Sequence, residues 1–580
     1  MKRWLVVFAA ALLFLMPFQL SSEDKKKYPA PRFPSYLKAP KNVEEVMPYA
    51  RAAVRQVGGR TPLGLAEKGQ TALLLAADHL GEPIIMEAIK RAFAERGIQA
   101  QVMFESELAG VSRDEARAIH GAKGRMPITK EYGFGYFEAG QAGEWGINWF
   151  KKHHPEVAAK LFPDLPKELA EKAEKLGGNR LGSAVAAYIE KHPEIDVVFY
   201  GRGGRQNHAR RLGKYRDKFR GNFIFDNRYE LMTRAPQFPG DIWRLAEERV
   251  IEPIAWLDRI HVTDPEGTNI TLDLDEKMAD AWGKSAYQQG HLYMLPGSAT
   301  GRHPFSIVDY PALTKQYIPH FLSKVNGVIA GTTNHHGFYP RIEVHIKDGY
   351  VREVKGGGYF GDIWREAMKI PGIHEAVWPF RSEPGYWWAR EAGLGTNPKF
   401  YQEPQENAVI GRNRSERNVA GVIHFGFGQQ VVESPEGPTK PKEAIDFEQK
   451  TGLPNEHGWH IHNTMITYRA RVRGTKNTWL TLIDRGRITA LDSPEITALA
   501  SRYGDPNEVL SQDWVRHLPG INAPGNYQEY AKNPWKFQTQ INKKIAGGTY
   551  EYFYPVGKKA SKSFQPSQIG GRSLPDEVRE

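Results

Sequence analysis

Three histidines of this chain fall inside one short segment, Glu456-His-Gly-Trp-His-Ile-His-Asn463. His460 and His462 are separated by a single residue. In a strand, residues so spaced project from the same face, so the two imidazoles can converge on one ion. Upstream, His424 sits in Gly421-Val-Ile-His-Phe-Gly-Phe-Gly428, an apolar strand pattern whose glycines let another backbone or a ligand approach closely. Further upstream, Glu391 precedes Gly393-Leu-Gly-Thr-Asn-Pro398, which reads as a loop rich in turn residues. A carboxylate there suits a metal ligand or a general base. Each pattern taken singly also suits a structural role: a histidine satisfied in a core, or a glutamate that caps a helix.

Other polar clusters compete with this one. Asn334-His335-His336-Gly337 is either a substrate-binding or proton-transfer element or a plain polar loop. His303 is a second candidate for binding substrate. The chain contains no cysteine, which excludes disulfides, thiolate nucleophiles, cysteine-ligated zinc and iron–sulfur clusters. A metal must therefore be held by nitrogen and oxygen donors, which suits a divalent ion such as zinc, iron, cobalt or manganese.

The elements that must position these groups follow from length and patterning. A chain of 580 residues is too long for one hydrophobic core. Its 40% hydrophobic and 25% charged residues are those of a globular protein. The net charge of +11 is spread thinly, without the long basic blocks of a nucleic-acid binder, so no nucleic-acid partner is expected. Residues 1–27 combine Lys2 and Arg3 with a short apolar run from Trp4 to Phe18, which predicts a signal peptide and a periplasmic or secreted protein, with an uncleaved membrane anchor as the alternative. A linker is expected over 28–45 and a mobile tail over 557–580.

Between them, 46–256 reads as an α/β domain with a parallel sheet covered by helices on both faces. Thr71 to Ala77 and Asp196 to Tyr200 are short, continuously apolar runs, as strands buried on both faces require. Helical patterns from Pro83 to Arg96 and from Leu181 to Lys191 alternate with them. Gly201-Arg-Gly-Gly204 reads as a tight turn rather than a dinucleotide fingerprint. From 257 to 556 alternating patterns dominate, among them Asn269-Ile-Thr-Leu-Asp-Leu274 and Arg341-Ile-Glu-Val-His-Ile346, separated by turns such as Asp264-Pro-Glu-Gly267. This half is expected to be an α+β domain that carries the metal site.

The order of Asp264-Pro-Glu-Gly-Thr268, Leu295-Pro-Gly297, Glu391-Ala-Gly-Leu-Gly-Thr-Asn397, His424-Phe-Gly-Phe-Gly428 and His460-Ile-His462 resembles that of the aminopeptidase T family of metallo-aminopeptidases. The resemblance implies a two-metal hydrolase that releases residues from small peptides and forms a homodimer, with Glu391, His424 and His460 as ligands and Glu391 as the catalytic carboxylate. The chain departs from that pattern at three places. Ala299 to His303 stands where a glutamate belongs, Val431 where a tyrosine belongs, and His462 where an aspartate belongs. The missing oxygen donors imply a mononuclear site instead. The 2,5-dihydroxypyridine dioxygenases are similar to the same family and imply non-haem iron acting on a small aromatic substrate. Their iron would be held by His424 and His460 with Glu391 or with His462. A hydrolase is the leading expectation, followed by the dioxygenase and by a relative that has lost catalysis and only binds a ligand.

Overall fold

A computed structural model describes residues 40–540, apart from 58–61, 79–80, 123–147, 150, 162–163, 202–211, 224–228, 233, 284–290, 295–323, 335–336, 376–383, 401–415, 429–449, 451–458, 535 and 539. The signal or anchor segment, most of the linker, the loop after Gly201, the histidines at 303, 335 and 336 and the C-terminal tail lie outside the described residues. Among the described residues, no helix is long and apolar enough to cross a membrane.

The N-terminal part is built on four strands, Thr71–Ala76 (β1), Gln99–Phe104 (β2), Val197–Tyr200 (β3) and Phe219–Asn222 (β4). They are parallel and lie in the order β2-β1-β3-β4. Every residue of β1 and β3 is buried, because alternate side chains serve different cores. Ala72, Leu74 and Phe199 pack with the helices Met47–Ala53 and Pro83–Glu95. Leu73, Leu75 and Val198 pack on the other face with the helix Gly178–Lys191. This is the parallel sheet with helices on both faces that continuous apolar runs predict.

The larger C-terminal part holds two antiparallel sheets. Eight strands, Leu257–Thr263 (β5), Asn269–Asp273 (β6), Asn326–Asn334 (β8), Gly337–Lys347 (β9), Tyr350–Gly356 (β10), Thr467–Val472 (β14), Trp479–Asp484 (β15) and Arg487–Ile488 (β16), form one sheet in the order β10-β9-β8-β6-β5-β14-β15-β16. Four others, His291–Tyr293 (β7), Ala389–Gly395 (β11), Ile423–Phe427 (β12) and Trp459–Asn463 (β13), form a smaller sheet in the order β13-β12-β11-β7. The two sheets approach closely where β8 meets β13. A Cβ on Gly331 would stand only 2.6 Å from Cγ2 of Ile461, so only glycine permits that distance. Glu391 and its glycines, expected in a loop, instead form β11. Their low strand propensity is overridden by pairing on both sides, with β12 and β7.

Candidate metal centre

The small sheet divides its side chains cleanly between two faces. In the pairing of β12 with β13, Gly426 lies opposite His460 and His424 opposite His462. Paired residues share a face, so these four form one side. Ile423, Phe425 and Phe427 of β12, with Trp459 and Ile461 of β13, form the other. That second side packs into the main core. Trp364, on the helix Gly358–Ala367, meets Phe427 at 5.1 Å and Trp459 at 5.3 Å between ring centroids.

Glu391 reaches the histidine side by an irregularity. Ala389 pairs with Phe427 and Glu391 with Gly426, so Arg390 is an extra residue and the register shifts between them. Strict alternation from Ala389 would have set Glu391 opposite Phe425, on the aromatic side. A bulge of this kind re-aims a side chain, and here it brings the carboxylate to the imidazoles. Nε2 of His424 lies 2.9 Å from Oε1 of Glu391, and Nε2 of His460 lies 3.4 Å from Oε2. One donor atom from each of Glu391, His424 and His460 lies within 4.8 Å of the others, and all three residues are buried. The rings of His424 and His460 are 5.6 Å apart.

Gly426 makes room for this group. A Cβ there would stand 2.8 Å from Oε2 of Glu391 and 3.1 Å from Nε2 of His460. The strand is bare at the point where the donors converge. Two imidazoles and a carboxylate around such a cradle fit a divalent transition metal and leave coordination positions for other ligands.

The segment after β11 fixes the glutamate strand to the N-terminal part. The indole N–H of Trp243 donates to Oγ1 of Thr396 at 2.8 Å, and that hydroxyl donates to Glu247, a fully buried carboxylate. Asn397 donates to the carbonyl of Ala235 at 3.1 Å. Lys399 and Arg234 both bind Asp513, with Lys399 at 3.3 Å and Arg234 at 2.9 and 3.0 Å. Burial pulls the Lys399 ammonium down to about 7. The Gly-Leu-Gly-Thr-Asn sequence thus serves as an anchor for the strand that carries Glu391.

His462 stands apart from the three donors. Its Nδ1 lies 3.0 Å from Oε2 of Glu416, and the other oxygen of that carboxylate meets Arg516. Burial draws Glu416 upward, but Arg516 and the contact with His462 outweigh it and hold the carboxyl below its ordinary value. The His462 ring is 5.9 Å from that of His424. Sequence reading did not single out Glu416 or Arg516. Nothing local marks Glu416, and Arg516 lies 100 residues further along the chain.

A second buried polar group lies on the Asp264-Pro-Glu-Gly turn. Oε1 of Glu266 accepts from Thr332 at 2.8 Å and from Tyr527 at 3.3 Å. Burial, and then the neighbouring Asp264, raise the Glu266 carboxyl above its ordinary range.

No protein-family model and no curated protein matches the chain. Among solved structures it is similar to that of a 2,5-dihydroxypyridine dioxygenase from Pseudomonas putida, at 11% identity, covering 79% of this chain and 100% of that one, with a TM-score of 0.36. A likeness of that size assigns no activity.

Proposed function

We propose that this protein is a metal-dependent enzyme with one ion bound by Glu391, His424 and His460, and that its chemistry is oxygenation of a small aromatic substrate at non-haem iron. The observation that carries the reading is the donor set. Two histidines and one carboxylate on one buried face, with open positions, suit iron(II) that must take up both oxygen and substrate. When bound, such an ion would supply the redox chemistry that activates oxygen toward the substrate. The chain's own part is to hold the three donors on a rigid sheet and to exclude competing ligands by burial.

A two-metal peptidase needs a second set of donors roughly 3.5–4 Å from the first ion. Among the described residues, a single group of three acidic or histidine donors is placed to hold an ion, and His462 is turned to Glu416. Among the described residues, the peptidase reading thus finds no support for a second ion. A mononuclear zinc hydrolase uses the same three donors, and the identity of the metal separates the two.

The test is anaerobic reconstitution of the full chain, a count of ions per chain, and oxygen uptake with dihydroxylated aromatic and pyridine rings. One iron per chain with substrate-dependent oxygen uptake is expected. Tight binding of two ions with release of amino acids from peptides would overturn the proposal.

A further inference from the structure

Three tryptophans gather on the aromatic side of the small sheet. Trp364, Trp387 and Trp459 are fully buried and mutually in contact, with ring centroids 5.2 Å apart for Trp387 and Trp459, 5.3 Å for Trp364 and Trp459, and 5.9 Å for Trp364 and Trp387. Buried indole N–H groups ordinarily find an acceptor. Those of Trp364 and Trp387 have no hydrogen-bond partner among the described residues. An unsatisfied buried donor is costly, and phenylalanine would contribute apolar packing without it, so the indoles call for an explanation beyond packing.

The cluster also leads somewhere. Trp459 directly precedes the candidate ligand His460 on β13. Trp387 is followed by Trp388, whose ring meets that of Tyr350 at 5.0 Å. The Tyr350 hydroxyl lies 2.8 Å from Nδ1 of His374, and Nε2 of His374 lies 2.7 Å from the carbonyl of Met368. A carbonyl only accepts, so Nε2 carries the proton and Nδ1 accepts from the tyrosine. His374 is exposed, whereas Tyr350 is buried.

We propose that Trp459, Trp387, Trp388 and Tyr350 form a one-electron relay between the metal centre and the surface, ending at the Tyr350–His374 pair. The relay rests on the redox-active metal proposed above. An ion held by Glu391, His424 and His460 would, with oxygen or a peroxide as oxidant, supply the one-electron oxidising equivalent, and Tyr350 would give up the electron along the tryptophans. The phenol proton moves to Nδ1 of His374, leaving a neutral tyrosyl radical and an imidazolium. A soluble thiol or an enediol of the ascorbate class then returns one electron while the proton moves back. Trp387 and Trp388 suit this path: the Trp387 N–H has no acceptor among the described residues, and that of Trp388 donates to the carbonyl of Gly385 at 3.1 Å, which takes up no proton, so the electron vacancy passes on as a cation. Burial raises the Tyr350 phenol to about 12, so the phenol keeps its proton until it is oxidised.

The test uses the full chain loaded with iron(II), treated with hydrogen peroxide, freeze-quenched and read by electron paramagnetic resonance. A tyrosyl signal is expected, lost in Tyr350→Phe and diminished in Trp387→Phe at unchanged iron content. Peptide mass spectrometry of Tyr350→Phe should show more oxygenation at Trp387 and Trp459, because the vacancy is stranded there. His374→Gln should leave the iron bound and slow formation of the radical. A tyrosyl signal that survives Tyr350→Phe overturns the relay, as does iron bound one per chain with no organic radical. Failure to bind iron overturns the metal reading and the relay together.

Discussion

Replacing Gly426 by alanine tests the site most directly, because it adds one methyl and removes no donor. The new Cβ would lie 2.8 Å from Oε2 and 3.0 Å from Cβ of Glu391, and 3.1 Å from Nε2 of His460. Carbon atoms find favourable contact at roughly 3.5–4.0 Å. All three distances fall short, and two of the crowded atoms belong to the donors themselves. The neighbours are on paired strands and cannot retreat together, so the carboxylate must swing away from His460. Overpacking of this kind costs about 1–3 kcal/mol. If that cost falls on the metal-competent arrangement, ion affinity drops by roughly 5–150-fold. Competition titration against a chelator measures it. Phe425→Leu, on the opposite side of the same strand, is the control. It should lower the urea midpoint and leave ion affinity unchanged. A folded Gly426→Ala protein that binds metal as tightly as the wild type would refute the placement of the ion between Glu391 and His460.

Three further outcomes follow from the same geometry. His424→Ala removes one of the three candidate ligands, and metal analysis of the purified variant should find no tightly bound ion. Glu416→Gln leaves Arg516 buried without its anionic partner, which should cost about 3–5 kcal/mol in urea unfolding. Adding Arg516→Met should recover most of that loss. Glu266 has a folded pKa above its unfolded value, so the folded state holds a proton that the unfolded state gives up. Its contribution is fully present below the ordinary carboxyl value of 4.5 and is lost as pH rises toward the folded one. Glu266→Gln should therefore flatten the decline in stability above that pH, and an unchanged slope would count against the burial of this carboxyl.

The N-terminal sheet was legible because its signal is local. Leu73 to Leu75 read as a strand buried on both faces, and both faces are covered. The histidine strands were legible for a similar reason, since one intervening residue puts His460 and His462 on the same side. What separates those two histidines was not legible. His460 faces Gly426 and turns to Glu391, whereas His462, two pairs further along, turns to Glu416. The partner depends on register, and register is a property of paired strands rather than of either sequence. The bulge at Arg390 is hidden in the same way. Read alone, Glu391-Ala-Gly-Leu-Gly looks like a turn, and only the pairing with β12 shows one residue too many.

The two sides of the small sheet depend on one another through that alternation. Three donors from three strands must be held to roughly 0.5 Å before an ion arrives, and the donors alone cannot do this. Rigidity comes from the reverse side, where Phe427 packs against Trp364, and Trp459 against both Trp364 and Trp387. Since Trp459 and His460 share a peptide bond, a shift of the indole is passed directly to the ligand. The carbonyl of His460 is also met by the hydroxyl of Tyr339 at 3.4 Å, so both the backbone and the reverse face of β13 are restrained. Trp459 is therefore part of the support of the site, and a perturbation of that indole should be read in metal affinity as well as in stability.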